Sequence, residues 1–269
     1  MYYDPIKDVF AAVIRKYPVL RSLFYKMLDV MFLRSWFVRR ELRNLRRILG
    51  NKEISIYDAG TGYAQYAYFM ARKLRPNNIY AVDVKDKWIK DSKVFFEGKK
   101  LNHVSFGIED LTQIGHENKF DLIVSVDVME HIEDDVKVFG NFYKALKPGG
   151  FLLVNTPSIH GGSDVHEDSE ESFIGEHARD GYSYEDLEQK LTPLGFTVFR
   201  YRYTYGFWGD KAWRLGIKYP MLLLNKSKLF LILLPFYYLV TFIFTFSMMY
   251  ADYLGKNKVG AGINIIVRK

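Results

Sequence analysis

The N-terminal part of the chain repeats its apolar residues at helical spacing. Residues 8–33 read as helices broken near Pro18. Residues 35–49 read as a basic amphipathic helix. Trp36, Leu42, Leu45 and Leu49 fall on one stripe, and Arg39, Arg43, Arg46 and Arg47 lie mostly away from it. From residue 54 the pattern changes to short apolar runs separated by amphipathic stretches. Strands are predicted over Ile54–Asp58, Asn78–Asp83, His103–Gly107, Phe120–Val126, Phe151–Asn155, Phe196–Tyr205 and Gly262–Arg268. Between them, helices are predicted over Gly62–Leu74, Asp86–Gly98 and Asp134–Leu146, the last stopped by Lys147-Pro-Gly-Gly150. Ser183-x-x-Asp186 reads as a capping box opening a helix to about Leu194. Repeated strand–helix units with short connections predict an α/β fold with a doubly wound, mostly parallel sheet.

One run breaks this pattern. Leu229–Tyr250 contains no charged residue and would make a helix about 33 Å long, close to the hydrocarbon thickness of a bilayer. It lies between two strands expected in one sheet, so a single crossing would separate them. Ala212–Leu224 is too short, and carries Arg214, Lys218 and Pro220, so it is not expected to supply a return span. Lys226, Lys228, Lys256 and Lys258 make both flanks basic and leave orientation undefined. Two uses are expected. The segment bends near Pro235 and lies in one leaflet, or it is buried as a wall of the substrate pocket or a homodimer interface.

Charge follows the same division. The 269 residues carry a net +7. Residues 1–50 hold 11 Lys/Arg against 4 Asp/Glu, residues 51–200 hold 17 against 25, and residues 201–269 hold 10 against 2. An acidic middle therefore separates two basic, aromatic ends. A nucleic-acid partner is not expected, because the middle would repel phosphates. The absence of Cys excludes disulfides, thiolate nucleophiles and Cys-ligated metals. Asp4, Lys7 and Asp8 come early and Val9–Ile14 is a short apolar stretch. No signal peptide is read there, and a cytoplasmic placement, peripheral on the membrane, is expected.

The first strand runs into Asp58-Ala-Gly60-Thr61-Gly62-Tyr-Ala64. Such a turn brings backbone close to a ligand and aims helix N–H groups at an anionic group. The dinucleotide fingerprint fails, because Gln65 stands where its third Gly belongs. Asp83 ends the second strand at an offset that suits ribose hydroxyls.

Four segments in this order, IYDAGTGYA (56–64), IYAVDV (79–84), FDLIVSVDVMEHIED (120–134) and LKPGGFLLVNTP (146–157), resemble the class I S-adenosylmethionine (SAM)-dependent methyltransferases. They are most similar to the broad type 11/12 branch that includes the quinone-biosynthesis enzymes. Ala64 replaces the last Gly of the family's turn. The resemblance covers about residues 50–200. It implies a Rossmann-like, seven-stranded sheet with helices on both faces, and SAM as cofactor with S-adenosylhomocysteine as product. It also implies roles for particular residues. Gly60, Thr61 and Gly62 would line the methionine part, and Asp58 would orient its amino group. Asp83 would hold the ribose diol, with Val84 beside the adenine. Asp110 would face the adenine amino group with Leu111 near the ring, and Val126 and Asp127 would flank the methionine end.

An O- or N-acceptor must lose a proton, which calls for a base. His131 leaves the fourth strand at the substrate side, where it would equally serve to cap or pack the next helix. The loop from Pro157 to Gly181 would lie over the ligand-binding edge. It is read as a lid, as a source of base or substrate contacts through His160, His177 and Arg179, or as a divalent-metal site. No compact ligand motif supports the metal reading, so none is expected. The domain plan is 1–50 N-terminal helices, 51–210 SAM-binding domain, 211–258 hydrophobic insertion and 259–269 final strand. The expected function is methyl transfer to an apolar or lipid-linked small molecule at the cytoplasmic membrane surface, which residues 1–50 and 211–258 would contact. The alternatives are a soluble small-metabolite methyltransferase, with the insertion as pocket wall or dimer interface, and a non-catalytic SAM-fold binding module.

Overall fold

The computed structural model describes residues 18–50, 52–161, 178–227 and 229–269. Helices α1 (Pro18–Met31) and α2 (Leu33–Leu49) precede an alternating series. It runs β1 (Ser55–Ala59), α3 (Gln65–Lys73), β2 (Asn78–Asp83), α4 (Asp86–Gly98), β3 (Val104–Ile108), β4 (Phe120–Val126), α5 (Asp135–Ala145) and β5 (Leu146–Pro157). Then come α6 (Tyr184–Leu191), β6 (Thr197–Thr204), α7 (Phe207–Trp213), a π-helical turn (Arg214–Lys218), α8 (Tyr219–Lys226), α9 (Phe230–Leu254) and β7 (Gly262–Arg268).

The strands form one seven-stranded sheet in the order β3-β2-β1-β4-β5-β7-β6. All pairs from β3 to β5 are parallel, and β7 runs antiparallel to both β5 and β6. β6 therefore points the same way as β5, and its exit lies at the ligand-binding edge. Successive strand residues serve opposite faces. Ile56 and Leu122 face a core built with α2, α3 and α4, through Leu42, Leu45, Met70 and Phe96. Tyr57 and Ile123 face a core with Phe139, Phe142 and Leu187 from α5 and α6.

Two boundaries differ from the reading of the sequence for physical reasons. α3 begins at Gln65 rather than Gly62, because Gly60, Gly62 and Ala64 all have positive φ, at +73°, +52° and +58°. Three left-handed residues cannot belong to a right-handed helix. β5 begins at Leu146, so Lys147–Gly150 is a bulged strand start, with pairing that shifts between Phe120 and Leu122. The capping box is formed in both halves: Asp186 N–H donates to Ser183 Oγ at 3.0 Å and Ser183 N–H to Asp186 Oδ2 at 3.0 Å.

The arginines of residues 18–50 mostly turn inward. Arg21 is buried and donates to the Asp91 carbonyl at 2.9 Å, the Tyr63 carbonyl at 3.0 Å and Ser92 Oγ at 2.8 Å. Arg39 pairs with Asp29, Arg40 donates to the Tyr253 carbonyl and Arg46 to the Leu74 carbonyl. The basic groups of the described part are thus mostly engaged within the fold, while α1 leaves Val19, Leu23, Met27 and Val30 exposed. α1 and α2 form a cap bound down through their basic groups, and residues 1–17 lie outside the described residues.

The insertion is a helical hairpin. α7, the π turn and α8 make its first limb, and α9 returns antiparallel. The limbs approach closely because Gly209 faces Asp252 and Gly216 faces Thr245; a Cβ there would meet these side chains at 2.9 Å and 2.8 Å. Gly209 N–H donates to Asp252 Oδ2 at 2.9 Å. Tyr237 and Tyr238 donate to the Leu215 and Gly216 carbonyls, at 2.6 Å and 2.8 Å, in the π turn. The segment not expected to supply a return span pairs with α9 as the first limb of this hairpin, with Arg214 and Lys218 interrupting its apolar run. α9 carries Pro235 inside a single helix, and its Tyr238, Phe242 and Phe246 line a small cavity with Val30 and Met31 of α1. Leu239 is 81% exposed, and the apolar stretch of α9 is uncovered except against the first limb and, near its C-terminal end, against α1 and α2. At its base, Met249 and Ala212 pack with Leu33 and Phe37 of α2.

Candidate cofactor and acceptor site

The exits of β1, β2, β3 and β4 gather the residues implied for the cofactor. Asp58 is buried at the end of β1 and accepts from Thr61 Oγ1 at 2.5 Å. Burial pushes its carboxyl up to about 7; the Thr61 bond opposes this and the Asp83 charge adds to it. Thr61 N–H donates to the Val82 carbonyl at 2.8 Å. Asp83 accepts from Gly62 N–H at 2.9 Å through one oxygen and from Lys85 N–H at 2.9 Å through the other. Asp58, Thr61, Gly62 and Asp83 are thus one hydrogen-bonded unit. Gly60 is required twice over, by its positive φ and because a Cβ would meet Val128 Cγ2 at 2.3 Å. Tyr63 packs its ring on Trp88, with centroids 5.1 Å apart, and its carbonyl is held by Arg21 and Tyr25 of α1.

Val84 is exposed beside this unit. Asp110, at the β3 exit, is exposed. It accepts from Thr112 N–H at 2.9 Å, Thr112 Oγ1 at 2.8 Å and Gln113 Nε2 at 3.2 Å, and these bonds hold its carboxyl below the usual range. It therefore caps its own turn. Leu111 is buried, and its carbonyl accepts from Asn141 at 2.9 Å. The preceding Glu109 is fixed by Tyr57 at 2.7 Å, Tyr80 at 3.0 Å and His116 at 3.1 Å.

Val126 ends β4. Asp127 follows in a left-handed conformation, φ +53°, its N–H donating to the Asn155 carbonyl at 2.9 Å. Its carboxylate is paired with Arg34 of α2, whose backbone N–H donates to Tyr205 Oη at 3.1 Å. Arg34 Nε is enclosed without a hydrogen-bond partner. Glu130 is buried next to this pair and accepts from Thr156 Oγ1 at 3.1 Å. Burial raises its carboxyl, against the influence of its own backbone N–H, His131, Thr156 and Arg34. Arg34, Glu130 and Tyr205 escaped the sequence reading. Glu130 stood in the quoted exit segment, overshadowed by its neighbour. Arg34 carried no signal beyond its helix's basic character.

His131 ends a 3₁₀ turn (Met129–His131) and is exposed. His160 is exposed at the β5 exit, with its ring 5.5 Å from that of Tyr203. His177 lies outside the described residues. Arg179 is tied to the start of α5, donating to Asp135 Oδ2 at 2.5 Å and the Ile132 carbonyl at 2.7 Å. These bonds anchor the end of the loop to the start of α5. Among the described residues no three His, Asp or Glu side chains cluster as metal ligands.

The residues fit an S-adenosyl group. A Cβ on Gly62 would have Trp88 as its nearest neighbour at 4.0 Å, so the turn has free space. Each Asp83 oxygen holds one backbone N–H and keeps lone-pair capacity for a diol. Asp58 is a carboxylate whose ionisation a bound ammonium would favour, and Arg34 Nε, beside Asp127, has no hydrogen-bond partner.

The model of the methyltransferase-domain family matches residues 51–194, more than half of the chain, and the chain belongs to that family. It is 28% identical over 142 residues to a wheat (Triticum aestivum) phosphoethanolamine N-methyltransferase, covering 52% of this chain and 27% of that one. It is 27% identical over 123 residues to a demethylmenaquinone methyltransferase of Bacteroides fragilis, covering 45% of this chain and 49% of that one. The match thus spans between about a quarter and a half of these relatives. Among solved structures, a proposed sarcosine dimethylglycine methyltransferase from Galdieria sulphuraria aligns with TM-score 0.60 at 16% identity, over 87% of this chain and 85% of that one. This likeness establishes the Rossmann-like methyltransferase fold. Family and fold together imply SAM as cofactor.

Proposed function

We propose that the protein transfers the methyl group of SAM to an apolar or lipid-linked small-molecule acceptor at the cytoplasmic surface of a membrane. The reading is carried by one juxtaposition: an exposed apolar hairpin is rooted at the same sheet edge as the Asp58–Asp83 unit, through Arg34 and Tyr205. The demethylmenaquinone relative agrees with an apolar acceptor by its name.

When bound, SAM supplies an electrophilic methyl on a sulfonium. The protein's part is to hold that methyl in line with the acceptor and to keep water out. Gly60 and Gly62 let backbone approach the methionine portion. Asp58 takes the amino group and Asp83 the ribose diol. Val84, Asp110 and Leu111 border the adenine, and Val126 and Asp127 border the methionine end. His131 and His160 are the candidate bases at the β4 and β5 exits. Calorimetry with S-adenosylhomocysteine, followed by label transfer from methyl-labelled SAM into membrane lipid extracts and into water-soluble metabolites, tests both halves. Absence of cofactor binding refutes the enzyme reading. Label confined to the soluble fraction refutes the lipid-acceptor reading.

A further inference from the structure

The two limbs of the hairpin show solvent different chemistry. On α9, Ile232, Phe236, Leu239 and Ile243 are more than half exposed, and no charge interrupts Leu229–Tyr250. A helix apolar on nearly all sides is at home only in a protein core or in hydrocarbon, and no core covers this one. The first limb is amphipathic. Gly209, Ala212 and Gly216 form the seam against α9. By helical spacing, Lys211, Arg214, Lys218 and Asn225 fall on the opposite face, interleaved with the exposed Phe207, Met221 and Leu222. Arg214 pairs with Asp210 at 3.0 Å, which leaves this limb with a basic excess. The hairpin therefore has one edge that is wholly apolar and one where basic side chains stand among apolar ones, separated by about one helix diameter, roughly 10 Å.

We propose that the hairpin lies in the plane of one leaflet of an anionic phospholipid membrane, with α9 at the acyl boundary and the basic face of the first limb at the lipid phosphates. A single interfacial helix carries both faces on one rod; here they are divided between two helices. Lys226 at the tip and Lys256 and Lys258 past the end of α9 are exposed and add attraction to anionic headgroups at both ends. An upright hairpin would carry Arg214 and Lys218 into hydrocarbon, which disfavours that pose. Both ends of the hairpin return to the sheet, at the exit of β6 and the entry of β7, so the catalytic domain stays on one side. The Arg34–Asp127 pair at the hairpin's base then faces the headgroup layer. This inference rests on the membrane-surface part of the proposed function, and it names the element and pose responsible.

The Cys-free chain allows single-site labelling. Leu239→Cys, Ile243→Cys, Lys211→Cys and Asn225→Cys variants of the full protein, carrying an environment-sensitive fluorophore, are mixed with vesicles of phosphatidylcholine containing phosphatidylglycerol. The protein should float with these vesicles. The α9 labels should be quenched from the acyl chains and the first-limb labels by aqueous iodide. The Leu239→Glu/Ile243→Glu double variant should lose flotation by at least tenfold and keep its S-adenosylhomocysteine affinity. Wild-type protein that binds the homologue normally yet stays off vesicles overturns the proposal. So do α9 labels open to iodide on floated protein, first-limb labels quenched from the acyl chains, or a lipid-free dimer in which Leu239 is already shielded. Flotation with the expected label pattern but no cofactor affinity would instead refute the methyltransferase reading and leave the pose standing.

Discussion

In its proposed role at the amino group, Asp58 should link cofactor binding to loss of a proton. Its carboxyl is buried and held up to about 7, from 3.8 when free. The sign follows from comparing the two states. The unfolded chain releases this proton near the ordinary carboxylate value, and the folded chain holds it to about neutrality. Between those values the folded state binds more protons, so stability is greatest at the acid end and is lost as pH rises through the window. At about 1.4 kcal/mol per unit, the ionised apo form carries a penalty of at most about 4 kcal/mol. An adjacent ammonium favours the carboxylate, so a bound amino group should expel the proton. Affinity for S-adenosylhomocysteine should then rise from pH 5.5 towards 7, by up to about tenfold per unit, and level off above. Calorimetry at pH 6 in two buffers of different ionisation enthalpy should report release of about one proton per site. Asp58→Asn keeps an acceptor for Thr61 Oγ1 and cannot ionise. It should abolish the proton release and weaken binding at pH 7.5 by about 10- to 100-fold, the worth of one charge-assisted bond. The apo variant should also lose the decline in thermal stability between pH 5 and 7. Wild-type affinity that is flat across pH 5.5–7, with no buffer-dependent heat, would refute the reasoning.

Gly60→Ala combines a left-handed backbone with a Cβ 2.3 Å from Val128 Cγ2, so it should destabilise by about 2–4 kcal/mol in urea titration. Adding Val128→Ala should return only the steric part. Ala64→Gly relieves a buried Ala at φ +58° and should raise stability by about 1 kcal/mol, a shift of a few degrees in Tm by calorimetric scan. Asp135 is buried and holds both Arg179 and Lys190, the latter at 2.7 Å. Asp135→Ala should therefore cost about 3–5 kcal/mol by denaturant titration, because two cations lose their partner.

Much of the sheet was legible because burial on both faces writes itself as continuous apolar runs. β7 was read with its observed bounds, Gly262–Arg268, and six of its seven residues are buried. The cofactor turn was legible as a motif but not as geometry. Nothing in the composition of residues 60–64 marks Ala64 as a third left-handed residue, so the helix start was placed too early. The hairpin was half legible. α9 declares itself by lacking charge. Its partner does not, because what a limb needs here is the small-residue seam of Gly209, Ala212 and Gly216, and charges on the opposite face are no obstacle. The N-terminal arginines show the limit of charge counting. A formal charge is the same whether it faces lipid or, like Arg21, is satisfied by groups some seventy residues away.

Arg34 joins three parts of the fold. Its carboxylate partner, Asp127, and the residue whose hydroxyl accepts its backbone N–H, Tyr205, are both non-glycine residues with φ near +53°. Each such residue costs about 1 kcal/mol or more, and such strain persists only where surrounding contacts over-determine it. One lies at the exit of β4, at the methionine end of the implied cofactor. The other lies at the exit of β6, where the hairpin begins. A single side chain and its own backbone therefore tie the cofactor edge, the N-terminal cap and the hairpin together. Trp36 and Phe37, on the following turn of α2, continue the tie by packing on Phe246 and Tyr253 of α9. α9 thus contacts α2, and α2 in turn holds Asp127. The fold thus joins the surface that would meet lipid and the carboxylate that would meet the methyl donor through one continuous series of contacts.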